Sequence, residues 1–180
     1  VGHHLNRGTD QVEVARPWPL PRAVDAVGGL VTTPAQLLQY ARFQMGDGTV
    51  PDGRRLLSSS SVKRMQRPQF SVWGEDESVG LSWFINKRDG VTSISHSGGT
   101  VGQISLFAMI PERQFAVVVL TNADGGGVCD DVRNWVLEHY LDVQEPKPEP
   151  IEATEAELAA YVGFYSRPFA DVELGMLNGR

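Results

Sequence analysis

Cysteine is almost absent: Cys129 is the only one in 180 residues. One thiol cannot close an intramolecular disulfide, so the fold must rest on packing and hydrogen bonds. Cys129 also lacks the flanking pattern of a cysteine nucleophile, and a buried, inert thiol is expected. Long apolar runs are missing as well. None approaches the roughly 20 residues that cross a bilayer, so no membrane span is expected in this chain. There is no excess of basic residues. The net charge is −6, and Lys and Arg form no run, which argues against a nucleic-acid partner. The chain opens Val1-Gly2-His3-His4, with no initiator Met and no signal-peptide pattern. It reads as a processed chain or a fragment, and its compartment stays open.

Metal and phosphate chemistry are equally thin. His3, His4, His96 and His139 lack ligand spacing, so no metal is expected. Asp124-Gly125-Gly126-Gly127 carries no lysine and reads as a loop rather than a phosphate cradle. No cofactor is expected.

What remains is an ordinary globular composition, 41% hydrophobic and 21% charged. The length supports one core and the start of another. Residues 1–27, rich in Pro, Arg and Gly, suggest an irregular arm, because each proline fixes its own φ and restricts its predecessor. Thr33, Pro34 and Gln36 then spell a helix start with a capping box. Leu37, Leu38, Ala41 and Met45 follow at helical spacing, and Gly46 and Gly48 stop the helix. A second short helix is expected from Ser58–Ser61 to Arg67.

The period then changes to two. Val79, Leu81, Trp83 and Ile85 suggest one strand and Val91 to Ser95 its return, with Lys87 to Gly90 as the turn. Gln103 to Ile110 and Phe115 to Thr121 suggest two more, joined by Pro111 to Gln114. Four consecutive strands with short links imply an antiparallel meander. Val128 to Leu141 reads as a helix, with Val132, Trp135, Val136 and Tyr140 near one face. Residues 1–143 are expected to form the main domain and 144–152 a linker. Residues 153–180 are expected to begin a small truncated domain with one helix and a strand, 161–165, whose partners are missing.

His96-Ser97-Gly98-Gly99-Thr100 follows the strand that ends near Ser95. Taken alone, Ser-Gly-Gly after a strand is a turn signal. Other segments add to it: Gly28-Gly29-Leu30-Val31-Thr32-Thr33-Pro34, then Gly80-Leu81-Ser82-Trp83, then Pro111-Glu112-Arg113 with the strand after it. In order and spacing, over residues 1–142, these resemble the C-terminal part of a serine β-lactamase and penicillin-binding-protein superfamily hydrolase.

The resemblance implies an α/β (α+β) fold, an antiparallel sheet flanked by helices, incomplete at the N-terminus. It implies acyl-enzyme chemistry on an amide, ester or β-lactam bond, with a small-molecule or peptide substrate. His96-Ser97-Gly98 stands where that superfamily carries a Lys-Thr-Gly type triad, and Gly99 where it takes an oxyanion donor from the residue after the triad. Such chemistry needs preorganised N–H donors. Glycines at 98 and 99 let a substrate carbonyl approach the backbone. Ser97 can bond a carboxylate or join a proton network, and a histidine at 96 can act as donor, charge or proton relay. The expected catalytic residues are therefore His96, Ser97 and Gly99, with Gly98 and Thr100 binding substrate.

Ser60-Ser61-Val62-Lys63 matches the superfamily's Ser-x-x-Lys nucleophile pattern, but it lies close to His96, and no Tyr-x-Asn or Ser-x-Asn intervenes. A serine-rich N-cap followed by a solvated lysine accounts for it equally. The chain alone is then expected to be inactive, with the remaining groups upstream. Two other readings stay open: a non-catalytic peptide-binding pseudoenzyme, and self-association through exposed strand edges.

Overall fold

The computed structural model describes residues 1–6, 8–18, 20–72, 76–123, 127–144, 152–166 and 171–176. The chain divides into two units, residues 1–145 and 146–180.

The first unit does not begin as an irregular arm. Strands β1 (His3–Asn6) and β2 (Gln11–Val14) form an antiparallel hairpin. The hairpin is tied down where the His3 amide donates to the carbonyls of Gly102 and Asn122, a tertiary anchor that local composition does not encode. Helix α1 (Asp25–Gly28) is a single turn. Helix α2 (Pro34–Met45) starts as expected: Thr33 accepts from the Gln36 amide, and the Gln36 side chain accepts from the Thr33 amide. Helix α3 (Ser59–Met65) is capped by Ser58, whose Oγ accepts from the Ser61 amide.

Six strands follow in one sheet: β3 (Phe70–Ser71), β4 (Glu77–Val79), β5 (Phe84–Arg88), β6 (Val91–Thr100), β7 (Gln103–Ile110) and β8 (Phe115–Thr121). Every neighbouring pair is antiparallel and consecutive in sequence. The expected single strand from Val79 to Ile85 is split. Gly80 is buried so tightly that a Cβ there would sit 2.4 Å from the Met65 carbonyl oxygen. The Leu81 amide donates to that same oxygen, and Ser82 takes a positive φ of 66°. The chain therefore turns at Gly80–Trp83, and one expected strand becomes β4 and β5.

Helix α4 (Val128–Leu141) closes the unit. The two faces of the sheet are covered by different helices. On one, Trp83, Ile85, Ile94, Phe107 and Met109 pack with Ala41 of α2, and Met65 of α3 joins them. On the other, Leu106, Ala108 and Val117 pack with Cys129 of α4, and Ile110 and Val91 with Leu137. The α4 face differs from the expected one. Val132, Trp135 and Tyr140 are exposed, while Cys129 and Leu137 are buried. Burial, and secondarily the Asp130 carboxylate, push the Cys129 thiol above its ordinary pKa. The nucleophilic thiolate is thus scarce in the folded state at neutral pH. Folded protein should react slowly with a disulfide reagent such as DTNB at pH 7 and rapidly once unfolded in urea; equal rates would remove this account.

Of the expected linker, 144–152, residues 145–151 lie outside the described residues. In the second unit, helix α5 (Glu155–Ala159) has its own capping box from Thr154 and Glu157. Strand β9 (Gly163–Tyr165) is not alone: it pairs antiparallel with β10 (Val172–Leu174). The sequence reading did not anticipate β10.

Candidate active site

His96 to Thr100 do not follow a strand; they are the second half of β6. Two short hairpins set the direction of each backbone group there. Asp89-Gly90 joins β5 to β6, with Arg88 opposite Val91, and Val101-Gly102 joins β6 to β7, with Thr100 opposite Gln103. Positive φ values at Asp89, Gly90 and Gly102 make these tight turns possible. The residues flanking a two-residue hairpin loop exchange hydrogen bonds, and the pattern alternates along the strand. Counting from Thr100, the N–H and C=O of His96 and Gly98 face β7. Counting from Val91, those of Ser93, Ser95, Ser97 and Gly99 face the β5 side. The two counts agree.

Strand β5 ends at Phe84, opposite Ser95. Past that point, the backbone groups of Ser97 and Gly99 face an edge that no other strand pairs among the described residues. Helix α1 approaches β6, but no backbone hydrogen bond joins them among the described residues. Paired N–H groups at an open edge can receive an oxyanion or an added strand.

The side chains around this edge differ in setting. His96, Ser97, Gly98 and Gly99 are exposed, and Thr100 is half-buried. The His96 ring lies 5.6 Å, centroid to centroid, from the Phe84 ring, at 41°. Gly98 accepts a hydrogen bond at its carbonyl from Ser105 Oγ, 3.3 Å away. A cavity of about 380 Å³ opens between the sheet and α4, and its lining reaches His96 and Ser97 but not Gly98, Gly99 or Thr100. Its polar wall comes from Ser93, Ser95 and Asn86 on the sheet and Arg133 and Asn134 on α4. Charge is balanced there. Arg88 lies 3.3 Å from Glu77, and Arg133 lies 3.0 Å from Asp130.

The other sequence candidates fall elsewhere. Ser60 Oγ is 2.9 Å from Ser58 Oγ, inside the capping cluster of α3, and neither Ser60 nor the exposed Lys63 lines the cavity. His3 Nδ1 lies 3.0 Å from the Asn122 carbonyl, and His139 stacks on Trp135 at 4.9 Å. No group of three metal-binding side chains occurs among the described residues, and no helix among them is long and apolar enough to cross a membrane. The sequence reading missed Phe84 and the cavity serines. The signal was present: Ser93, Ser95 and Ser97 alternate with Ile94 and His96, a period of two that continues the strand past Ser95.

Residues 2–141 match the family profile Beta-lactamase. The chain is 30% identical over 178 residues to a protein described as penicillin-binding protein 4, from Amycolatopsis lactamdurans; the match covers 93% of this chain and 46% of that one. Among solved structures it resembles an octameric penicillin-binding protein homologue from Pyrococcus abyssi, with a TM-score of 0.66 and 22% identity, over 79% of this chain and 31% of the other. It also resembles a structure described as SurE, with a TM-score of 0.70 and 23% identity, over 98% of this chain and 41% of the other. These two likenesses establish the fold alone. The chain spans less than half the length of each of these relatives.

Proposed function

The chain belongs to the Beta-lactamase family, and on that premise we propose that it builds one wall of an acyl-transfer site in a serine hydrolase that cleaves an amide, ester or β-lactam bond. The open edge of β6 carries this reading. Gly99 offers its N–H away from β7, where a tetrahedral oxyanion can accept it. Ser97 shares that direction, and its side chain reaches the adjoining cavity. His96 stands exposed beside them and serves as donor or proton relay to a group brought from outside these residues. Gly98 and Thr100 keep the strand paired to β7, so the edge stays straight beneath a bound substrate. In this reading, the nucleophile is not Ser60, whose hydroxyl is hydrogen-bonded to that of Ser58, the N-cap of α3.

The same edge favours one second reading. An extended peptide can add to a free strand edge through main-chain hydrogen bonds, with no chemistry. A fluorescent penicillin and a fluorophosphonate, each followed by mass spectrometry, separate the two. The expected result is no adduct on residues 1–180 alone and a serine adduct on a longer hydrolase that contains them. In that hydrolase, His96→Ala lowers turnover by roughly 10²-fold or more. An adduct on Ser60 would overturn the assignment of the nucleophile, and unchanged turnover in His96→Ala would remove the imidazole from the reaction.

A further inference from the structure

We propose that Phe84 is the positioning residue for the His96 imidazole, an inference that rests on the reading of His96 as a group that acts in the site. The His96 side chain is exposed, and no hydrogen bond holds its ring among the described residues. Its cross-strand partner on β7, Phe107, is buried in the core. The ring that meets His96 on the β5 side is Phe84, at 5.6 Å and 41°. That distance lies within the range of favourable aromatic pairing.

Phe84 is itself fixed by its neighbours. Trp83 and Ile85 on either side are both buried in the core under α2. The turn that delivers it is closed by a 2.8 Å hydrogen bond from the Gly80 amide to the Trp83 carbonyl, and pinned to α3 by a 2.9 Å bond from the Leu81 amide to the Met65 carbonyl. Strand β5 ends at Phe84, at the boundary where the β6 edge opens. Phe84 is therefore a fixed apolar platform at the mouth of the open edge. Without it, an exposed imidazole samples about three staggered χ1 wells, of which one presents the ring as it stands here.

Selective ¹³C-histidine labelling of the 180-residue chain tests the contact directly. A nuclear Overhauser effect between the two rings is expected, as is a ring-current shift of the His96 ring protons. Phe84→Leu should abolish that shift and Phe84→Tyr should keep it. Missing cross-peaks in the unaltered chain, or unchanged His96 signals in Phe84→Leu, would overturn the proposal. The first of these readings needs no variant to fold. In the longer hydrolase, Phe84→Leu should lower kcat up to about threefold, the number of wells an unsupported χ1 samples, with KM little changed and Phe84→Tyr restoring the rate. If His96→Ala abolishes turnover while Phe84→Leu leaves kcat intact, positioning fails. If the ring contact is found and His96→Ala leaves turnover intact, the contact stands and the catalytic reading of His96 fails.

Discussion

On the proposed acyl-transfer reading, replacing Gly99 with proline should lower the turnover of a hydrolase that contains these residues by roughly 10²- to 10³-fold, the loss associated with deleting one oxyanion donor. Proline removes the N–H, fixes φ and places its ring carbon where the proton pointed. The Gly99 N–H faces away from β7, so its removal costs no bond between β6 and β7. The residue before it, Gly98, is already in a strand, the conformation that a following proline favours. The pairing of β6 with β7 is therefore retained, and circular dichroism should show the fold intact. Gly99→Ala is the control. It keeps the donor, and its Cβ meets the flexible end of Ile104 at 3.0 Å, which can shift by the few tenths required. Equal turnover in the proline and alanine variants would mean that the Gly99 amide binds no oxyanion.

The neighbouring position checks the phase. Gly98 lies opposite Ser105, and its N–H faces β7. Gly98→Pro removes a ladder bond and leaves a β7 acceptor unpaired, a loss of about 1–3 kcal/mol. The alternation thus predicts opposite outcomes one residue apart: activity lost with the fold retained at 99, stability lost at 98. A shift of the register by one residue would exchange them. Urea denaturation of the two variants decides which register the strand has.

Local signals in the sequence account for the elements that have a local cause. The capping box at Thr33 and Gln36 sets the start of α2, because both partners lie within one helical turn. The spans Gln103–Ile110, Phe115–Thr121 and Val128–Leu141 match β7, β8 and α4, where a sustained run is bounded by turn residues. The departures at Gly80 and His3 have tertiary causes. Gly80 turns the chain because α3 leaves no room for a side chain there, and nothing within a few residues of Gly80 announces the Met65 carbonyl. His3 is held by Gly102 and Asn122, far along the chain. The motif at 96–100 was recognisable from its residue types, but glycine and serine also spell a turn. Only the pairing with β7 makes it a strand with one free edge. The Phe84–His96 contact depends on that register and on where β5 stops, neither of which follows from spacing.

Trp83→Ala should be the most destabilising single change near the site, at about 3–5 kcal/mol. The side chain is 6% exposed and lies between two other rings, 5.5 Å from Phe107 and 6.2 Å from Tyr40. Truncation leaves a cavity lined by rings that α2 and the sheet hold in place, so the site collapses only in part. Against a typical domain stability of about 5–15 kcal/mol, that loss leaves much of the population unfolded on mild warming. Trp83→Phe tests which property of the indole matters. It loses part of the packed volume. It also removes a buried Nε1–H that has no hydrogen-bond partner among the described residues, a group whose burial costs about 1–3 kcal/mol. The two effects oppose, so Trp83→Phe should fall well short of Trp83→Ala in urea denaturation followed by circular dichroism. If both variants lose the same stability, stacking with Tyr40 and Phe107 is not what Trp83 contributes. Because Trp83 anchors the residue that meets His96, the ordering should reappear in catalysis: Trp83→Phe keeps the Phe84 platform and most of the rate, and Trp83→Ala loses both.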